Sequence, residues 1–230
     1  MIVHAGSAPR VAVAALIAVA GAAWWVTIAN AREMSDMLDG LVKVGRAMPW
    51  HISPVAFAGT WTVMMTAMML PAIIPVVMAA DPPAGAAWVA AYLGVWASTG
   101  AIAFGVLVAL NEMGQPSPGL HRAGGALILL AGIYQFTGAK RRLLQRPDPG
   151  ARGLSHGLRC VGASWVLMSV LLVVGVMNVA WMAAVSAICL GEKASSQRNA
   201  LATVVGAVLV GCGLVVLIEP RMLDVIAGSS

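Results

Sequence analysis

VGASWVLMSVLLVVGVMNVAWMAAVSAICL, from Val161 to Leu190, runs without a single charged side chain. About 20 apolar residues cross the ~30 Å hydrocarbon core of a bilayer, so lipid is the solvent that suits such a stretch. Comparable runs stand around it at Val11–Ala29, Val55–Ala80, Ala86–Leu110, Gly124–Thr137 and Leu201–Ile218. The pattern predicts an all-α membrane protein, a bundle of about six transmembrane helices forming one integral membrane domain over residues 1–230. Composition agrees: the chain is 60% hydrophobic and 10% charged, against about a quarter charged in an average soluble protein.

Prolines punctuate the gaps at Pro82 and Pro83, Pro116 and Pro118, Pro147 and Pro149, and Pro220, where helices should end. Pro71 and Pro75 fall inside the second run instead. Each removes a backbone hydrogen bond there and predicts a kinked or opened helix. The first run ends in Ala29-Asn30-Ala31, which resembles a signal-peptidase site. The run is longer than the usual signal core of about 7–15 residues, so a retained first span is expected.

The formal net charge of +5 gathers in one segment. Lys140, Arg141, Arg142, Arg146, Arg152 and Arg159 stand there against Asp148 alone. Such a loop is topogenic rather than a nucleic-acid surface, and it is expected on the cytoplasmic side of the membrane. Six crossings would then leave both termini cytoplasmic. Between the first two runs, Met34, Met37, Leu38, Leu41, Val44 and Met48 recur at helical spacing opposite Asp36, Asp39, Lys43 and Arg46. That pattern predicts an amphipathic interfacial helix over about residues 33–48. The expected partners are the lipid bilayer and, in one reading, further membrane subunits; nucleic acid is not among them.

Candidate chemistry begins with Met64, Met65, Met68 and Met69, in which 64/68 and 65/69 share faces. Thioethers are soft ligands suited to Cu(I), and methionine is equally a flexible apolar filler. The fifth run adds Met168, Met177, Asn178 and Met182. Asn178 is a polar amide deep in an apolar stretch and must face protein or water, as an interhelical hydrogen bond or as part of a site. His156 and Cys160 are four apart and place imidazole and thiol on one face, a metal pair or an interfacial histidine beside a buried cysteine. Glu192 and Lys193 read as solvated charges at the outer end of the fifth span, and Tyr134, Gln135, Thr137 and Lys140 as anchors or a polar patch at the inner end of the fourth. No GxSxG, HExxH or phosphate-binding glycine loop occurs, so the chain is not expected to be an enzyme. The three cysteines, Cys160, Cys189 and Cys212, are scattered and form no CxxC.

WTVMMTAMMLPAIIP (Trp61–Pro75), YQFTGAK (Tyr134–Lys140), HGLRCVGASW (His156–Trp165) and GVMNVAWMAAVSAICLGEK (Gly175–Lys193), in that order, resemble a bacterial family of predicted metal-binding integral membrane proteins, the domain of unknown function 2182 type. The resemblance implies a membrane protein that binds metal. It also marks departures. Where that family has cysteines in the basic loop, this chain has Arg141 to Arg146, and the family's paired cysteines are here Ala163 and Ser164. Only Cys160 remains. If metal binding in the family depends on those thiolates, this chain keeps only its methionine, Asn178 and His156 candidates.

Two functions follow as expectations. One is handling of a soft metal, Cu(I), with Met64, Met65, Met68, Met177 and Met182 as thioether ligands, Asn178 orienting them, and His156 and Cys160 as further candidates. The other is a non-catalytic structural or assembly subunit of a membrane complex, in which small residues such as Ala202, Gly206 and Gly211 allow close helix approach.

Overall fold

The computed structural model describes residues 7–38, 53–79, 85–112, 118–145, 152–176, 178–195 and 197–227. Among the described residues the only regular structure is helical: α1 (Ser7–Leu38), α2 (Pro54–Met69), a 3-10 turn (Pro71–Ile73), α3 (Ile74–Ala79), α4 (Ala86–Glu112), α5 (Pro118–Gln135), α6 (Gly138–Gln145), α7 (Gly153–Val174), α8 (Val179–Ala194), α9 (Arg198–Ile218) and α10 (Met222–Ala227). Among the described residues, four stretches are long and apolar enough to cross a membrane: Arg10–Arg32, Ala86–Ala109, Gly153–Val174 and Arg198–Ile218. The bent pair Pro54–Met69 and Pro71–Met78, with an angle of 42°, makes a fifth if taken as one broken span. The expected six are therefore four or five on length and composition. Residues 39–52, which hold most of the expected interfacial helix, lie outside the described residues; 33–38 continue α1.

The fifth apolar run departs most from expectation. A helix from Val161 to Leu190 would be about 45 Å long at 1.5 Å per residue, half again the hydrocarbon thickness. It is instead a hairpin. α7 stops at Gly175, whose φ of 108° suits a residue without a Cβ. α8 restarts behind Asn178, whose side chain accepts from Trp181 N at 3.2 Å. α8 then returns beside α7, so that Lys193 near its end meets Cys160 near the start of α7.

Helix directions follow from contacts around this hairpin. α4 starts beside α7, with Gly153 so close to the Trp88 carbonyl that no side chain fits between them. α5 and α9 are antiparallel: a Cβ at Gly213 would lie 2.5 Å from Leu129 N, and one at Gly132 would lie 2.6 Å from Val210 N. The end of α5, α6, the start of α7, the end of α8 and the start of α9 thus gather at one pole, the basic end. α9 finishes at the far end, where Trp181 Nε1 donates to Ile226 O of α10 at 2.9 Å. α10 thus stands at the pole opposite the start of α9.

α2 starts exposed, with Val55 82% accessible, and is enclosed over the half that carries the methionines. Met64, Met65, Met68, Met69, Ala67 and Leu70 are all at most 1% exposed, as expected of a helix without a polar side. Ser53 caps its start, accepting from Ala56 N at 3.1 Å, and Pro54 occupies the first turn. Trp61 locks it to α4 by lying over Gly100 and donating from Nε1 to Trp96 O and Thr99 Oγ1, each at 3.2 Å.

Candidate metal centre

The break in α2 follows from Pro71, which has no N–H to give to Ala67 O. Past it the chain tightens into a 3-10 turn, with Ile73 N bonding Leu70 O at 3.2 Å. Hydroxyls from other helices serve the carbonyls on the near side of the break. Ser186 Oγ of α8 donates to Met68 O at 3.1 Å, and Tyr92 Oη of α4 lies 3.4 Å from Met69 O. Buried backbone polar groups need such partners.

These two hydrogen bonds set the register of the methionines. α2 and α8 both run toward the basic end and touch at Met68 and Ser186. One turn back on each helix stand Met64 and Met182, about 5.4 Å nearer the far end. Met64, Met65, Met68, Met69, Met168 and Met182 belong to one continuous core, with Met182 fully buried. The structure thus brings the α2 methionines and Met182 into one layer. Met177 lies outside the described residues. Asn178 caps α8, its side chain accepting from Trp181 N.

A second layer lies toward the basic end. Tyr92 Oη is 3.1 Å from Cys160 Sγ, so one phenol stands between the Met69 carbonyl and the Cys160 sulfur. Lys193 Nζ approaches the same sulfur at 2.8 Å. His156, one turn before Cys160, packs its ring on Trp88 and Tyr92 with centroids 5.2 and 5.8 Å away. Its Nε2 is buried with no hydrogen-bond partner among the described residues. Cys189 is fully buried and hydrogen-bonds to Ser164, one of the positions where the resembled family carries cysteine.

Beside this layer sits an ion pair that corrects the reading of Glu192 and Lys193 as solvated outer charges. Lys140 and Glu192 are each 1% exposed and 2.8 Å apart, and Lys140 also donates to Gln135 Oε1. The α7–α8 turn carries both residues of α8 to the basic end, where the carboxylate meets the lysine of α6. Tyr134, on the other side of α5, donates to Gly162 O at 2.7 Å. Among the described residues no three His, Cys, Asp or Glu side chains converge as a metal site.

A family model described as PpoB2, copper chaperone, matches residues 58–216. The chain belongs to that copper chaperone family. No curated protein and no solved structure matches it. The matched residues begin within α2 and end within α9, and so take in both the methionine layer and the Cys160 layer of this family member.

Sequence reasoning missed Tyr92, Lys193 and the Lys140–Glu192 pair as parts of one site. A signal existed for the hairpin that assembles them: the fifth run was too long for one crossing and held Gly175 and Asn178 near its middle. For Tyr92 there was none, since a tyrosine near the start of an apolar run reads as an interface anchor.

Proposed function

We propose that this family member is a membrane-embedded, non-catalytic carrier of Cu(I) in a bacterial inner membrane, with the copper ion as its cargo. Met64, Met65, Met68 and Met182 hold the ion in the buried layer, Met177 being the further candidate, and Cys160 with His156 receives it at the basic end. The observation that carries the reading is the enclosure of the α2 methionines and Met182 in one core, with Tyr92 joining Met69 to Cys160. Thioethers bind Cu(I) without charge of their own. A monovalent ion among neutral ligands retains its charge in a low-dielectric interior, which favours onward movement to a cysteine sulfur nearer the edge.

The test replaces Met64, Met65, Met68 and Met182 together by Leu, which keeps volume and removes only sulfur. The wild-type chain, purified in mild detergent without chelator, should retain Cu(I) against a chromophoric Cu(I) chelator. The fourfold variant should lose it while keeping its helical spectrum. Retention unchanged in a folded variant would refute the thioether site.

The assembly-subunit reading draws support from one feature, the open face of α9 around Gly211, with Val204, Val208 and Leu214 exposed. Its other small residues turn inward: Ala202 is buried, and a Cβ at Gly206 would lie 2.8 Å from Gln135 Cβ. Stoichiometric partners in native purification would favour it.

A further inference from the structure

Cys160 is 4% exposed, so its sulfur has little room for a newcomer. Two groups already stand on it, the Tyr92 hydroxyl at 3.1 Å and the Lys193 ammonium at 2.8 Å. Metal–thiolate bonds are shorter still, about 2.3 Å. An ion that binds this sulfur must therefore displace one of the two. Tyr92 is fully buried and stacked on Trp88 with centroids 6.0 Å apart, so its phenol has nowhere to go. Lys193 is half-buried, one residue from the end of α8 and beside the exposed Ala194, on a flexible four-carbon stem that can swing away from the sulfur. The nearest buried carboxylate, Glu192, is already held by Lys140 and does not offer the displaced ammonium a second internal partner.

We infer that Lys193 is an internal stand-in for the cargo, occupying Cys160 in the empty protein and exchanging with a single Cu(I) ion during transfer. The inference rests on the copper-carrying reading of the same site. With Cys160 reacting as the thiolate, the exchange is one positive charge for one: the Lys193–sulfur hydrogen bond and the copper–thioether bonds break, the copper–sulfur bond forms, the ammonium keeps its proton and moves to the edge, and no electron changes hands. The charge beside the sulfur stays balanced for a monovalent ion and rises by one for a divalent ion, so the device selects by charge as well as by softness. It also makes Cys160 a post for hand-over rather than storage, because the returning lysine competes with every bound ion.

The experiment uses the full-length chain in detergent and two readouts. In the first, Lys193 is acylated with a water-soluble succinimidyl ester and its modification is followed by peptide mass spectrometry. One equivalent of Cu(I) should speed acylation of the wild type about tenfold, a charge-assisted contact being worth roughly that factor. Cys160→Ser should be fast with or without metal, and Zn(II) should give the wild type no comparable increase. In the second, Lys193→Gln should surrender Cu(I) to a chelator about tenfold more slowly than the wild type. If the wild type retains no Cu(I) at all, the carrier reading falls and takes this inference with it. If it retains Cu(I) while Lys193 acylation is unchanged by the metal, the stand-in role alone is overturned. An increase with Zn(II) equal to that with Cu(I) overturns the charge selection. The labelling arm uses the wild-type chain, so a misfolded Lys193→Gln variant leaves the test standing.

Discussion

Replacing Lys140 by Met should be among the most damaging single changes outside the methionine layer. The ammonium and the Glu192 carboxylate are each 1% exposed and 2.8 Å apart. At an effective dielectric of ~20 their attraction is about 6 kcal/mol, of the same order as the several kcal/mol per ion needed to take each out of water. The intact pair is therefore near neutral in net stability, but removing one partner strands the other, at about 3–5 kcal/mol. Lys140→Met should lower resistance to SDS-induced unfolding by that amount. The double variant Lys140→Met with Glu192→Leu should recover most of it, because no charge is then left buried. A loss below ~1 kcal/mol for the single variant, or a double variant no better than the single, would refute the account of an enclosed pair.

Three further outcomes follow from local geometry. Asn178→Ala should destabilise by about 1 kcal/mol through loss of the α8 cap and leave Cu(I) retention against a chelator unchanged, whereas an orienting role in the site would lower retention. Gly175→Ala, at φ 108°, should cost about 1–3 kcal/mol in the same SDS titration, and a neutral result would argue against the turn between α7 and α8. Gly213→Leu should push α9 off Leu129, 2.5 Å from the added Cβ, at roughly 1–3 kcal/mol or more in thermal unfolding.

Helix content was legible from apolar runs, because 18 or more uncharged residues leave few alternatives to a helix. The break at Pro71 was legible for a local reason, the missing N–H. What failed was the pairing of segments. Treating Val161–Leu190 as one rod put Glu192 and Lys193 at the wrong pole and made them solvated ends, although the same charges beside Lys140 and Cys160 are structural. Periodicity cannot detect a reversal inside an apolar stretch, since both arms of the hairpin are apolar on the faces that lie inward. Asn178 reads in the sequence as a residue that needs a partner, and one of its partners is the Trp181 N–H of the helix it caps.

The hairpin also explains why the site's chemistry is graded along the bundle. α8 starts at the far end with Asn178 and Trp181, passes Met182 and Ser186 beside the α2 methionines, and finishes on Cys189, Glu192 and Lys193 at the basic end. One helix thus runs from neutral sulfur in the deep core to charged groups near the edge, alongside α2, whose break turns Met68 and Met69 toward the same neighbours. On the carrier reading, a soft monovalent ion moving along that line meets thioethers where desolvation is dearest and the Cys160 sulfur only where Lys193 stands beside it. Reversing the order, with Cys160 and Lys193 exchanged for the methionine layer, would bury an ion pair at mid-core and leave the thioethers at the water edge, where they compete poorly with hydration. If the chain carries Cu(I) as proposed, the order found is the one that suits both its entry and its release.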